Sequence, residues 1–142
     1  MKTWLTPKIE VRSSPIQGKG LFAKEPIATG EQLTRNGEDD YTIMTDEEFK
    51  AFTQTASSYD AMALGNGMHR VSKVARDQDL SNYGNHSCDP TAEMTTSGLQ
   101  AKRDIEAGEE ITLDYALHSS TDWSMVCTCG APNCRKVVRG VR

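Results

Sequence analysis

Four cysteines and their spacing carry the strongest chemical signal in this chain. Cys127, Cys129 and Cys134 form a CxCx4C trio near the C-terminus, and Cys88 stands far upstream in Asn85-His86-Ser87-Cys88-Asp89-Pro90. Three clustered sulfurs with one remote partner suit a tetrahedral zinc site closed by cysteine thiolates. Two disulfides or four unrelated thiols are the competing arrangements. Disulfides need an oxidising compartment, and the first residues, Met1-Lys2-Thr3-Trp4-Leu5-Thr6, lack the apolar run of a secretory leader. A Cys127–Cys129 bridge would also be strained, with a single residue between its ends. The spacing favours one structural zinc ion that clamps the C-terminal tail onto the surface carrying Asn85 and His86.

Three further groups could do chemistry. Gly18-Lys19-Gly20-Leu21 places two glycines beside an apolar run, where backbone can approach a ligand closely, although glycines this near a turn more often serve the turn itself. Asn85 and His86 neighbour a metal ligand and would be held rigid by it, or would simply bond within a loop. Tyr115 follows Asp114 at the end of an apolar stretch, the setting of an ordinary core tyrosine whose hydroxyl reaches the surface.

The elements that must position these groups are short. Residues 8–12 alternate polar and apolar as a half-buried strand does, and 21–23 restart an apolar run. Thr45-Asp46-Glu47-Glu48 reads as a capping box that starts a helix over about 46–54, with Phe49 and Phe52 turned inward. Residues 59–64 and 68–74 flank Gly65-Asn66-Gly67 as a hairpin. Residues 79–86 read as a loop or short turn. Strands are expected at 92–95, 99–103 and 110–115, followed by a Ser/Thr-rich tail from 118. Lys24–Glu31 and Lys102–Glu109 share the pattern KxxIxxGE, which reads as two similar turns leading into strands rather than a duplication.

Bulk properties set limits. A chain of 142 residues suits one domain that buries roughly 70% of its unfolded surface. A net charge of −4 argues against a basic nucleic-acid-binding face, and no run is long and apolar enough for a membrane span.

Taken in order, GKGLF, NHSCDP, EEITLDY and CTCGAPNCR resemble the SET-domain family of protein lysine methyltransferases with its post-SET zinc segment. The resemblance covers residues from about 18 to 135. It implies a mainly β, β-clip-like fold of small sheets with a C-terminal pseudoknot, a SET domain over 1–117 and a post-SET zinc tail over 118–142. It implies S-adenosylmethionine as methyl donor and, as partner, a protein or peptide presenting a lysine, such as a histone or another basic protein, in the cytoplasm or in a nucleus. Gly18, Lys19, Gly20 and Leu21 would meet the cofactor through their backbone, with Asn85 and His86 on its methionine and adenine portions. Cys88, Cys127, Cys129 and Cys134 would bind one zinc ion. Tyr115 would be the active-site tyrosine and Tyr59 a second. The chain departs from the family pattern at Asn82-Tyr83, where Arg-Phe is common, at Thr91 in place of Asn, at Leu113 in place of Phe or Tyr, and at Lys136 in place of Gly. A catalytically weak cofactor- or peptide-binding module is the alternative reading, and a zinc-stabilised interaction protein a third.

Overall fold

The computed structural model describes all residues, 1–142. Its strands are β1 (Trp4–Leu5), β2 (Ile9–Ser13), β3 (Lys19–Ala23), β4 (Thr34–Arg35) and β5 (Tyr41–Thr45), then helix α1 (Asp46–Thr55), β6 (Ala61–Ala63), β7 (Met68–Ser72), β8 (Asn85–His86), β9 (Ala92–Met94), β10 (Leu99–Ala101), β11 (Glu110–Leu113), β12 (Ser124–Val126) and β13 (Val137–Arg139). They make five small sheets, as expected of a mainly β chain rich in turns.

The central sheet has the order β2-β3-β11-β8. β3 is antiparallel to both β2 and β11, whereas β8 runs parallel to β11 with Thr112 opposite Asn85 and Leu113 opposite His86. The late strand β11 thus lies between two earlier strands that are themselves far apart in sequence. As an interior strand, β3 is buried from Gly20 to Ala23, which is why its sequence is an apolar run instead of an alternation. Leu21, Ile27, Leu33, Ile105 and Ile111 are almost fully shielded and form the body of the core with Ile9, Leu99 and Leu113. Each such side chain contributes about 1.5–3 kcal/mol by leaving water.

The repeated KxxIxxGE pattern has a structural meaning. Its two copies face each other, with reciprocal Ile27–Ile105 backbone bonds of 2.9 and 2.8 Å, and both isoleucines buried. Gly30 and Gly108 hold φ of 82° and 89°, the left-handed geometry that favours glycine at the turn.

A second layer is the sheet β5-β7-β6 with α1 against it. Glu48 N–H donates to Thr45 Oγ1 at 3.2 Å, the cap expected from sequence. No α1 residue is fully buried. Phe49 stacks on His69 with ring centroids 4.2 Å apart, and Phe49 and Phe52 both meet Tyr59 edge-on, so the helix packs on its own small sheet and not on the main core.

Three local expectations change. β11 ends at Leu113, and Tyr115 lies in a 3-10 turn over 115–118, because the Asp114 carboxylate accepts from Ala116 N–H and caps a turn there. Asn85 and His86 are extended, since β11 supplies their backbone partners. The tail forms a hairpin, β12 with β13, which its Ser/Thr and Cys content did not suggest.

Candidate active site

Cys88, Cys127, Cys129 and Cys134 converge although Cys88 comes from the loop after β8 and the others from the tail. Their four sulfurs lie within 4.8 Å of one another, and Cys88 and Cys127 are 3.9 Å apart. A tetrahedral zinc with bonds of about 2.3 Å sets its ligands about 3.8 Å apart, so the residues present fit that ion. Burial pushes the Cys127 thiol up to about 12, while burial at Cys129 is outweighed by N–H donors from Cys88 and Ala131, which hold it at about 6. A dication among them would favour four thiolates.

The sulfur cluster is tied to the neighbourhood of Tyr115. Tyr115 N–H donates to His86 Nδ1 at 3.0 Å, so a neutral His86 carries its proton on Nε2, which points at Cys88 Sγ 3.4 Å away. Burial lowers the basicity of His86, consistent with that neutral form. Arg135 donates from Nε to Cys88 Sγ at 3.3 Å and from Nη2 to Asp114 at 2.8 Å. Such outer contacts orient ligands and neighbouring groups together.

Gly18, Lys19, Gly20 and Leu21 lie beside Asn85. The Asn85 amide donates to Gln17 O and Lys19 O, both at 3.1 Å, and to Glu110 at 2.9 Å. The two glycines differ in role. A side chain at Gly20 would collide with Glu110 and Asn85, so this glycine serves internal packing. Gly18 has φ of 47° and no atom within 4 Å of where a side chain would stand, so the space beside it is open, while its carbonyl accepts from Ser14 N–H at 2.8 Å. Leu21, set between Val11 and Ile111 in the central sheet, and His86, opposite Leu113, are both buried, so they support the glycine turn and Asn85 from within the sheet.

Tyr115 and Tyr59 share a cleft of about 250 Å3 with Asp60, Arg76, Gly84, Leu113 and Trp123. The Tyr115 hydroxyl donates to Gly84 O at 2.5 Å, and burial raises the phenol above its ordinary range, which keeps it neutral. Tyr59 is half exposed at the side of the cleft, where its ring meets Phe49 and Phe52. Trp123, from the tail, lies 6.4 Å from the Tyr115 ring. The sequence reading missed Asp60, Arg76 and Trp123, which carry no motif and meet only through folding.

The departures are accommodated. Thr91 Oγ1 donates to Glu110 O and accepts from Thr112 N–H, both at 3.0 Å, locking the loop after Cys88 to β11. Lys136 holds φ of 66°, the left-handed region that a glycine would fill without strain.

Residues 18–116 match the SET domain family. The chain is 31% identical over 140 residues to the human histone-lysine N-methyltransferase, H3 lysine-36 specific, covering 90% of this chain and 5% of that protein. A histone-lysine N-methyltransferase of Arabidopsis thaliana is 28% identical over 147 residues, covering 97% and 14%. The chain therefore spans a small part of these relatives. The fold matches the methyltransferase domain of the human histone-lysine N-methyltransferase SETMAR with a TM-score of 0.68 at 20% identity, covering 96% of this chain and 59% of that one. No helix is long and apolar enough to cross a membrane. With the match running from the Gly18 turn through β8 and β11 to Ala116, the chain belongs to the SET-domain family.

Proposed function

We propose that this protein is a lysine methyltransferase, moving the methyl group of S-adenosylmethionine to the side-chain amine of a lysine in a protein substrate. The observation that carries this reading is the cleft in which the Tyr115 phenol, tied to Gly84 O, stands among Tyr59, Leu113 and Trp123. Residues 1–117 act as the catalytic body and 118–142 as the zinc tail that completes the cleft through Trp123.

The bound donor supplies an electrophilic methyl carbon on a sulfonium, which becomes a neutral thioether when the amine nitrogen takes the methyl. The exposed stretch Gly18-Lys19, with the Asn85 amide beside it, is the ledge for that donor; the buried Gly20, Leu21 and His86 hold the ledge from beneath. The Tyr115 hydrogen is directed at Gly84 O, so its oxygen lone pairs are free for C–H···O contacts that orient the methyl. A lysine amine is ordinarily protonated, near ~10.4, and must lose its proton to water before it attacks. Apolar walls such as Leu113 favour the neutral amine. Tyr59 flanks the incoming chain. Cys88, Cys127, Cys129 and Cys134 hold one structural zinc ion, remote from the transferred carbon. A histone or another basic protein is the substrate class, met in the nucleus or the cytoplasm.

The test is incubation of the zinc-loaded protein with isotopically labelled S-adenosylmethionine and core histones, read by mass spectrometry of lysines. Methylated lysine is expected, and Tyr115→Phe is expected to lower kcat on the order of a hundredfold, as loss of alignment at a reacting centre does. Labelling that never reaches lysine, or that survives Tyr115→Phe undiminished, would overturn the assignment.

A further inference from the structure

The cleft contains an ion pair that the reaction above leaves unused. Asp60, adjacent to Tyr59, is largely buried, with 17% of its side chain exposed, and Arg76 comes from the segment after β7. Arg76 Nε donates to both Asp60 oxygens at 2.9 Å, and Nη2 donates to one at 2.6 Å. The guanidinium also lies over the Tyr83 ring, 5.8 Å from its centroid. Both residues line the cleft together with Tyr59, Gly84 and Tyr115. Their charges reach the Tyr115 phenol with opposite sign, and Glu110 acts on it from β11.

The remaining titratable groups around the cleft are otherwise engaged or face another part of it. Asp40 accepts from Thr3 N–H, and Asp79 caps the turn at Ser81. Arg70 lies over the Tyr41 ring. His118 approaches from the turn after β11. Asp60 is thus the carboxylate next to the two tyrosines, and Arg76 occupies it.

Building on the lysine-channel reading, we propose that Asp60 and Arg76 form a specificity-determining pair that sets the protonation state of the incoming amine. An unpaired carboxylate beside the channel would hold the substrate as an ammonium, which binds well and cannot attack. Arg76 holds that carboxylate with two N–H groups, the Nε one shared between both oxygens, and withdraws it from the substrate. The near-neutral pair lets the channel release the amine proton to water.

Substitutions on the two sides of the pair act in opposite directions. In Arg76→Gln, Asp60 is freed; KM for a lysine peptide falls several-fold, and the rising limb of the kcat–pH profile moves alkaline by about one unit, a tenfold loss of kcat on that limb. In Asp60→Asn, Arg76 is left unmatched; KM rises and the limb moves towards acid. Arg76→Lys keeps the charge and stays near the parent profile. The affinity arm needs no turnover: calorimetry with S-adenosylhomocysteine compares a lysine peptide with its alanine counterpart across pH. There the lysine preference is expected to strengthen in Arg76→Gln and weaken in Asp60→Asn. Methyl transfer that is absent in the parent protein at every pH would sink the reaction while leaving this affinity arm readable. Shifts of the same sign in both variants, or a lysine preference equal in all of them, would overturn the role of the pair.

Discussion

Ile9, Leu21, Ile27, Leu33, Ile105 and Ile111 order the body of the molecule by burying aliphatic side chains among themselves, whereas the tail from Trp123 onward buries little beyond Val138 and its cysteines against Ala116 and Cys88. The first region has a core that water exclusion can stabilise unaided. The second is too short for one, and Val126, Val137 and Val141 remain exposed on it. What it has instead is a set of sulfurs at zinc-ligand spacing, plus the Arg135 and His86 contacts that pass from those sulfurs to the Tyr115 turn. Water exclusion builds the scaffold, whereas the piece that brings Trp123 to the cleft is gathered around four sulfurs that could hold a metal ion.

Metal removal is the largest perturbation of this contrast. Structural zinc in small peptides is worth roughly 10–16 kcal/mol of folding free energy. Chelation of the zinc-loaded protein should expose Trp123, read as a red-shifted fluorescence band, while the β-sheet circular dichroism of the body persists. A single transition in which both signals vanish together would mean that the two regions form one cooperative unit.

Leu21→Ala attacks the other side. Leu21 is fully buried in the central strand, and its truncation should cost about 2–5 kcal/mol through lost burial and the cavity left behind. The urea midpoint should fall accordingly, while zinc affinity below that midpoint should change little. A large loss of zinc affinity in the folded variant would break the separation of the two regions.

The smallest effect lies at their boundary. Burial, with Arg142 adding to it and Asp114 opposing, holds the His118 imidazole below its ordinary 6.5. The native state therefore binds fewer protons than the unfolded chain as the solution is acidified. This stability is fully present above pH 6.5 and is lost as pH falls through the lowered native value. His118→Gln should flatten the stability–pH curve in that window, and an unchanged slope in urea melts would show that His118 does not carry it.

Legibility from sequence followed distance along the chain. The Thr45 cap, the turn at Gly65-Asn66-Gly67 and the CxCx4C trio were readable because each depends on residues a few positions apart. The strand at Asn85-His86 was not, because its polar residues become extended only when β11 supplies a partner. Tyr115 was assigned to a strand because its apolar run continues from β11, and only the local competition of the Asp114 cap ends that strand two residues earlier. Trp123, Asp60 and Arg76 belong to no pattern at all.

By itself, then, the sequence determined the chemical inventory: four thiols at zinc spacing, a glycine turn, a tyrosine following Asp114 and the order of motifs that marks the family. These survive any arrangement of the chain because side-chain identity and short-range turn geometry are local properties. Only the tertiary structure decided which of them meet. It directs the Tyr115 hydroxyl to Gly84, turns the His86 proton toward Cys88 and closes Arg76 on Asp60, because each contact requires the loop between its partners to be closed by the core. Loop closure costs entropy that no local pattern reveals, and burial elsewhere in the molecule offsets it.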